Sequence, residues 1–216
     1  MKESCQKSKI LDDLGKIRKI DKNSMLSFCV EAPKHYEKSA KLAKAVSISY
    51  PNPQTIIVAG MGGSAIGGEL LKDWGRNRTR VPIEVDREYS LPAYANKNTL
   101  VFVISYSGET EESLSVFLDA IKRHCMIFCI SSGGKLLEFA EKLNVPHLRI
   151  PLGMPPRAAL PYLFLPPLMI LEKIGLVSNF HAELSEAVKT LKKVIDENSP
   201  EKPLIDNFSK TLASNI

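Results

Sequence analysis

Residues 99–112 read Thr-Leu-Val-Phe-Val-Ile-Ser-Tyr-Ser-Gly-Glu-Thr-Glu-Glu. Thr99 to Ser105 is an uncharged, mostly apolar run rich in β-branched residues, the pattern of a strand buried on both faces. The run ends in hydroxyls. Gly108 then breaks it, and Thr110 with two acids behind it reads as the N-cap of a helix from Glu111 to Arg123. A cap and a turn account for Thr110 and Gly108. They leave Ser105 and Ser107 unexplained, alternating at the mouth of an apolar strand. Each hydroxyl is a neutral donor able to face a phosphate oxygen, so the loop Ser105–Thr110 is read as a phosphate site.

The same alternation continues on either side. Strands are expected at Thr55–Ala59, Pro82–Asp86, Met126–Ile130 and His147–Ile150, with helices at Ala65–Trp74 and Lys135–Leu143 between them. Repeated βαβ units imply a parallel sheet covered on both faces. The fold class is α/β: a three-layer αβα sandwich around a five-stranded parallel sheet, with N- and C-terminal helices added. Ligands of such sheets bind outside the carboxyl ends of the strands. Before the sheet, residues 8–20 carry helical spacing, and 24–50 read as helix interrupted near Pro33. After it, Arg157 to Ile174 is a very apolar helical stretch expected to kink or break at Pro161, Pro166 and Pro167. His181–Asp196 is an amphipathic helix, and the last ten residues resemble the opening of another. The expected division is 1–50 as a helical segment, 51–178 as the ligand-binding domain, and 179–216 as linker and start of a further domain.

Composition narrows the function. The formal net charge is +5, with 25% charged and 44% hydrophobic residues, ordinary for a soluble globular chain. The cations Arg76, Arg78 and Arg80 are read as a solvated helix end; no basic stripe with interleaved aromatics suggests nucleic acid. Cys5, Cys29, Cys125 and Cys129 form no CxxC pair and no zinc spacing, and are read as reduced thiols in the core. No metal or other cofactor is expected. Residues 1–14 are too charged for a signal peptide, and no apolar stretch is long enough to span a membrane. The cytoplasm is the expected compartment.

Gly60-Met-Gly-Gly-Ser-Ala-Ile-Gly-Gly68 follows the first strand and opens a helix. Glycines let backbone approach an anion, and the helix start favours negative charge. Gly60, Gly62 and Ala65 fit G-x-G-x-x-A, with Asp86 placed where a ribose-binding acid of a dinucleotide fold would lie. By itself this loop leaves three readings open: a dinucleotide, another small anion, or close helix–sheet packing. A dinucleotide fold has no use for the second loop at 105–110.

Together the two loops resemble a known family. G-x-G-G-S after strand one, with S-x-S-G-x-T after strand three, is the pattern of the sugar isomerase (SIS) domain, whose sheet is flavodoxin-like. The fuller resemblance is to the archaeal-type bifunctional phosphoglucose/phosphomannose isomerases. It is carried by GMGGSAIGGELL (60–71), SYSGETEE (105–112), SSGGKL (131–136) and PPRAALPYLF (155–164), and covers roughly residues 24–178. The resemblance implies a phosphate group held by Ser105, Ser107 and Thr110, with Tyr106 in the same loop. It implies a sugar lying against Gly63 and Ser64, and Pro156-Arg157 facing the reacting carbons. A guanidinium there would stabilise an enediolate. The other account of Arg157, a surface helix start, is disfavoured by the helix dipole. The implied reaction is aldose–ketose isomerisation of glucose 6-phosphate or mannose 6-phosphate with fructose 6-phosphate, without metal or redox cofactor.

The sequence departs from that family in length. The family's catalytic glutamate, ring-opening histidine and late lysine fall beyond residue 216. His35, His124, His147 and His181 occupy no matching motif, and Glu109, Glu111 and Glu112 read as solvated or helix-start acids. No general base is identified, so little isomerase activity is expected of this polypeptide alone. Expected partners are the sugar phosphate and either a second copy, as a homodimer, or a complementing second-domain chain. The homodimer expectation rests on apolar helices near 160–178 that would otherwise be exposed. Two alternatives remain: a non-catalytic sugar-phosphate-binding regulator, and an NAD-dependent oxidoreductase.

Overall fold

The computed structural model describes residues 10–216. Cys5 and the first two residues of the helix expected at 8–20 lie outside that range. The chain divides into two compact units: residues up to Lys34 together with His181–Ile216, and His35–Phe180.

The larger unit holds five parallel strands: β1 (Thr55–Ala59), β2 (Ile83–Asp86), β3 (Thr99–Ile104), β4 (Met126–Ser131) and β5 (His147–Arg149), in the order β2-β1-β3-β4-β5. The inner strands β3 and β4 are buried at every position, whereas the edge strand β2 exposes Glu84 and β5 exposes Arg149. That contrast follows from covering both faces of the sheet. On one face Ile57, Val101, Val103 and Ile127 pack with Val116, Phe117, Leu136 and Ala140. The last four belong to α4 (Glu111–Lys122) and α5 (Gly134–Lys142). On the other face lie α3 (Gly63–Gly75) and α6 (Leu160–Lys173). Phe102 and Phe128 meet there edge to face, centroids 6.1 Å apart. Burying each ring is worth about 1.5–3 kcal/mol, more than the pair geometry adds. Gly67 lets α3 and α6 touch: a Cβ at that position would lie 2.5 Å from Leu163 O.

The prolines behave differently from the expectation. Helix α2 (Met25–Ala45) runs unbroken through Pro33. In α6, Pro161 sits in the first turn, where its missing N–H costs nothing. The helix then continues through Pro166 and Pro167. The break falls earlier, where a 3₁₀ turn at Pro156–Ala159 passes into α6. All three α6 prolines and Pro33 are buried, so apolar packing outweighs the lost helical hydrogen bonds. The same burial corrects the expectation of an exposed patch at 160–178. Tyr162, Leu163, Leu165, Leu168, Ile170 and Leu171 are all at most 1% exposed. Lys173 Nζ also donates to Ala43 O, Lys44 O and Val46 O, capping the end of α2.

The smaller unit contains α1 (Leu14–Ile20), the start of α2, most of α7 (Phe180–Glu197) and α8 (Phe208–Ser214). The expected helix at 8–20 starts afresh at Leu14, because the Asp13 carboxylate caps Lys16 N at 3.0 Å. Asn207 caps α8 in the same way, through Lys210 N at 2.9 Å. Cys129 is buried as expected, but Cys125 is only half-buried and Cys29 is exposed. Among the described residues, no helix is long and apolar enough to cross a membrane.

Candidate active site

The strand order reverses between β1 and β3, so the crevice of this sheet lies between the loops that follow those two strands. Both Gly/Ser-rich loops emerge there. Thr110 is the N-cap residue of α4, as expected, but its side chain makes no capping bond. Its Oγ1 instead pairs with Ser105 Oγ at 2.9 Å. Leu114 N is the first amide bonded back to Thr110 O, at 3.0 Å, which leaves the amides of Glu111, Glu112 and Ser113 as the orphan donors of the helix start. Helix α3 likewise begins at Gly62 without a side-chain cap. Side-chain caps are present on α1 and α8 and absent from α3, α4, α5 and α6.

Ser105 is 1% exposed and its Oγ also accepts from Gly108 N at 3.0 Å. The hydroxyls can therefore point one way: Gly108 N–H to Ser105, Ser105 O–H to Thr110, Thr110 O–H outward. Such a chain polarises its last donor. Ser107 is exposed and accepts from Glu109 N at 3.2 Å. Glu109 serves the neighbouring helix, accepting from Lys135 N at 3.0 Å and pairing with Lys135 Nζ at 3.6 Å. Gly108 has φ +76°, and a Cβ there would lie 1.9 Å from Gly133 O, so the β3 and β4 loops touch backbone to backbone.

Ser64 is buried in the first turn of α3 and accepts from Tyr106 N at 3.3 Å. Gly63 supports the loop that carries Arg157: a Cβ on it would sit 3.1 Å from Pro156 Cβ. Arg157 is exposed in the 3₁₀ turn. The structure thus brings Gly63, Ser64, Ser105, Tyr106, Thr110 and Pro156 to one end of the sheet, with Arg157 held there through Pro156. Ser131, Ser132 and Met154 were not singled out individually by the sequence reading. They join this end through Tyr106, whose O accepts from Ser132 N at 3.0 Å and whose hydroxyl accepts from Met154 N at 2.8 Å.

Asp86 does not behave as a ribose-binding acid. It is 9% exposed, its Oδ1 accepts from Glu88 N at 3.1 Å, and its Oδ2 is buried without a partner among the described residues. Burial pushes its carboxyl above the ordinary carboxylate range, helped by Glu88 and Glu84 nearby. Its stability contribution is therefore fully present below the unfolded value and lost as pH rises through the higher folded one. Asp86→Asn is expected to raise the melting temperature at pH 7, with the gain shrinking toward pH 4. Equal gains at both pH values would contradict the burial argument. The arginine cluster is a solvated helix end, as expected: Arg76 is the C-cap residue of α3, and all three arginines are exposed. Arg78 lies 4.2 Å over the Trp74 ring, while Arg76 and Arg80 line a cavity of about 580 Å³ at the amino end of β2, away from the crevice.

This fold and crevice define a sugar isomerase (SIS) type α/β domain. No family model matches the chain. It is 40% identical over 182 residues to the bifunctional phosphoglucose/phosphomannose isomerase of Caldicellulosiruptor bescii, covering 83% of this chain and 54% of that protein. To the enzyme of the same name from Thermoplasma volcanium it is 33% identical over 156 residues, covering 71% of this chain and 46% of the other. Among solved structures, the tagatose-6-phosphate ketose/aldose isomerase of Escherichia coli matches with a TM-score of 0.55 at 17% identity, over 79% of this chain and 50% of that one. The chain is a homologue of the bifunctional phosphoglucose/phosphomannose isomerases, and it spans about half the length of the curated relatives it matches.

Proposed function

We propose that this chain is the sugar-phosphate-gripping part of an aldose–ketose isomerase that interconverts glucose 6-phosphate or mannose 6-phosphate with fructose 6-phosphate. One observation carries the reading: Thr110 sits at the N-cap of α4, yet its Oγ1 pairs with Ser105 Oγ and makes no capping bond, leaving the helix amides open. A phosphate dianion would take those amides together with the Thr110 and Ser107 hydroxyls, where the helix dipole favours it. The sugar would then extend over Gly63 and Ser64 toward Arg157. As a proton moves between C1 and C2, negative charge develops on the enediolate oxygens, and the guanidinium would stabilise it there. The general base is not among the residues assigned here. A complementing chain would supply it, in the cytoplasm, and a homodimer is the alternative assembly.

The regulator reading uses the same grip without the chemistry. The oxidoreductase reading needs an accessible acid at the end of β2, and Asp86 is buried. Thermal melts separate ligand classes. Fructose 6-phosphate at a hundred times its Kd should stabilise the protein by about 2.7 kcal/mol, and NAD should leave it unchanged. Stabilisation by NAD alone would overturn the proposal. Exchange of the C1 hydrogen of fructose 6-phosphate with heavy water, in the presence of the complementing chain, separates isomerase from regulator.

A further inference from the structure

Tyr106 stands in the middle of the loop read as a phosphate site, and its hydroxyl is already fully committed. It donates to Pro151 O at 3.1 Å and accepts from Met154 N at 2.8 Å. The backbone of the same residue reaches the other loops. Its N–H donates to Ser64 Oγ at 3.3 Å, and its O accepts from Ser132 N at 3.0 Å and from Ser131 Oγ at 3.4 Å. One residue therefore ties together the chain following β1, β3, β4 and β5.

The most consequential of these links runs to the segment after β5. Met154 is buried, and three residues further on comes Arg157. That segment passes through Gly153 at φ +85° and Pro155 before the 3₁₀ turn. Besides the Tyr106 bond to Pro151 O, two contacts further along hold it against the crevice: Met154 on the Tyr106 hydroxyl, and Pro156 on Gly63. Pro156 rests on van der Waals contact alone, which fixes a distance but not an orientation. The Tyr106 hydroxyl supplies the directional half.

We propose that Tyr106 is a positioning residue for Arg157, coupling the phosphate loop to the guanidinium that meets the reacting carbons, rather than a ligand of the sugar phosphate. The inference rests on the isomerase reading above and assigns a role within it. A residue acting through Arg157 affects only ligands that carry charge where Arg157 acts. A direct phosphate ligand would affect every phosphorylated ligand alike.

The test is calorimetric binding of two probes to wild type and Tyr106→Phe. One is inorganic phosphate; the other is the hydroxamate of a five-carbon phosphorylated aldonic acid, a stable mimic of the enediolate. Tyr106→Phe leaves the Met154 amide without an acceptor. It is expected to weaken hydroxamate binding about tenfold while phosphate binding changes less than about twofold. In a double-mutant cycle, Arg157→Ala should cost much less in the Tyr106→Phe background than alone. Equal losses for both probes, or additive losses in the cycle, would overturn the inference and leave Tyr106 as an ordinary ligand or scaffold residue. Should Tyr106→Phe fail to fold, hydrogen exchange on the wild type decides. A slow Met154 amide supports the link, and exchange at the rate of free chain overturns it. Failure of the wild type to bind either probe would sink the isomerase reading itself, and this inference with it.

Discussion

Gly108→Ala should unfold the crevice end of the larger unit and abolish sugar-phosphate binding. Two costs add at this residue. Its φ of +76° lies in the left-handed region, which costs an L side chain about 1–2 kcal/mol. The new methyl would also sit 1.9 Å from Gly133 O and 2.8 Å from Ser131 Oγ. Gly133 O is backbone and cannot rotate away, so the β3 and β4 loops must part. Parting them breaks Leu136 N to Gly108 O at 3.0 Å and Ser132 N to Tyr106 O at 3.0 Å. The total should reach about 3 kcal/mol or more, lowering the melting temperature by roughly 6–12 °C for a chain of this size. A melting temperature within about 2 °C of wild type would show that the loops are not in the contact described. Gly133→Ala is the control, since a Cβ there meets nothing within 4 Å and φ is 172°.

Arg157→Ala should have the largest functional effect with little change in stability. Arg157 is exposed, and among the described residues its guanidinium has no hydrogen-bond or ion-pair partner that folding depends on. If its task is to meet developing charge, removing it should weaken the enediolate mimic about 100-fold, the scale of losing a donor from an oxyanion site. Fructose 6-phosphate itself, bound mainly by its phosphate, should weaken less than about tenfold. Arg157→Lys should recover only part of the loss, because an ammonium lacks the planar fork that can serve two oxygens. Equal loss for both ligands would place Arg157 on the phosphate instead of the reacting carbons.

The inner strands were legible because each is a short uncharged run ending at Gly or Ser, while the edge strands β2 and β5 carry Glu84 and Arg149 and were placed by the spacing of the βα units. The order of βα units then fixed a parallel sheet, and the rule that ligands gather at the carboxyl ends pointed to the loops after β1 and β3, which the structure brings to one end of the sheet. Local rules failed where packing overrode them. Pro33, Pro166 and Pro167 look like helix breakers, but they are buried in helices whose apolar faces stabilise more than a missing amide costs. Cys29 was expected inside and lies outside, because one cysteine on a helix carries no sign of which face is covered.

What the sequence determined by itself is the α/β sheet, the two Gly/Ser loops and the residues gathered in the crevice. These depend on periodicity and on backbone freedom, both encoded within a few residues. What only the tertiary structure decided is how those residues divide the work. Thr110 could cap its own helix or pair with Ser105, and only the folded loop shows that it pairs. Tyr106 bonds partners 45 and 48 residues away, at Pro151 and Met154. Asp86 sits at the right spacing for a ribose, but its orientation and burial remove it from that role. A hydrogen bond is directional and short, so its partner is set by where the fold brings distant backbone, which no local pattern records.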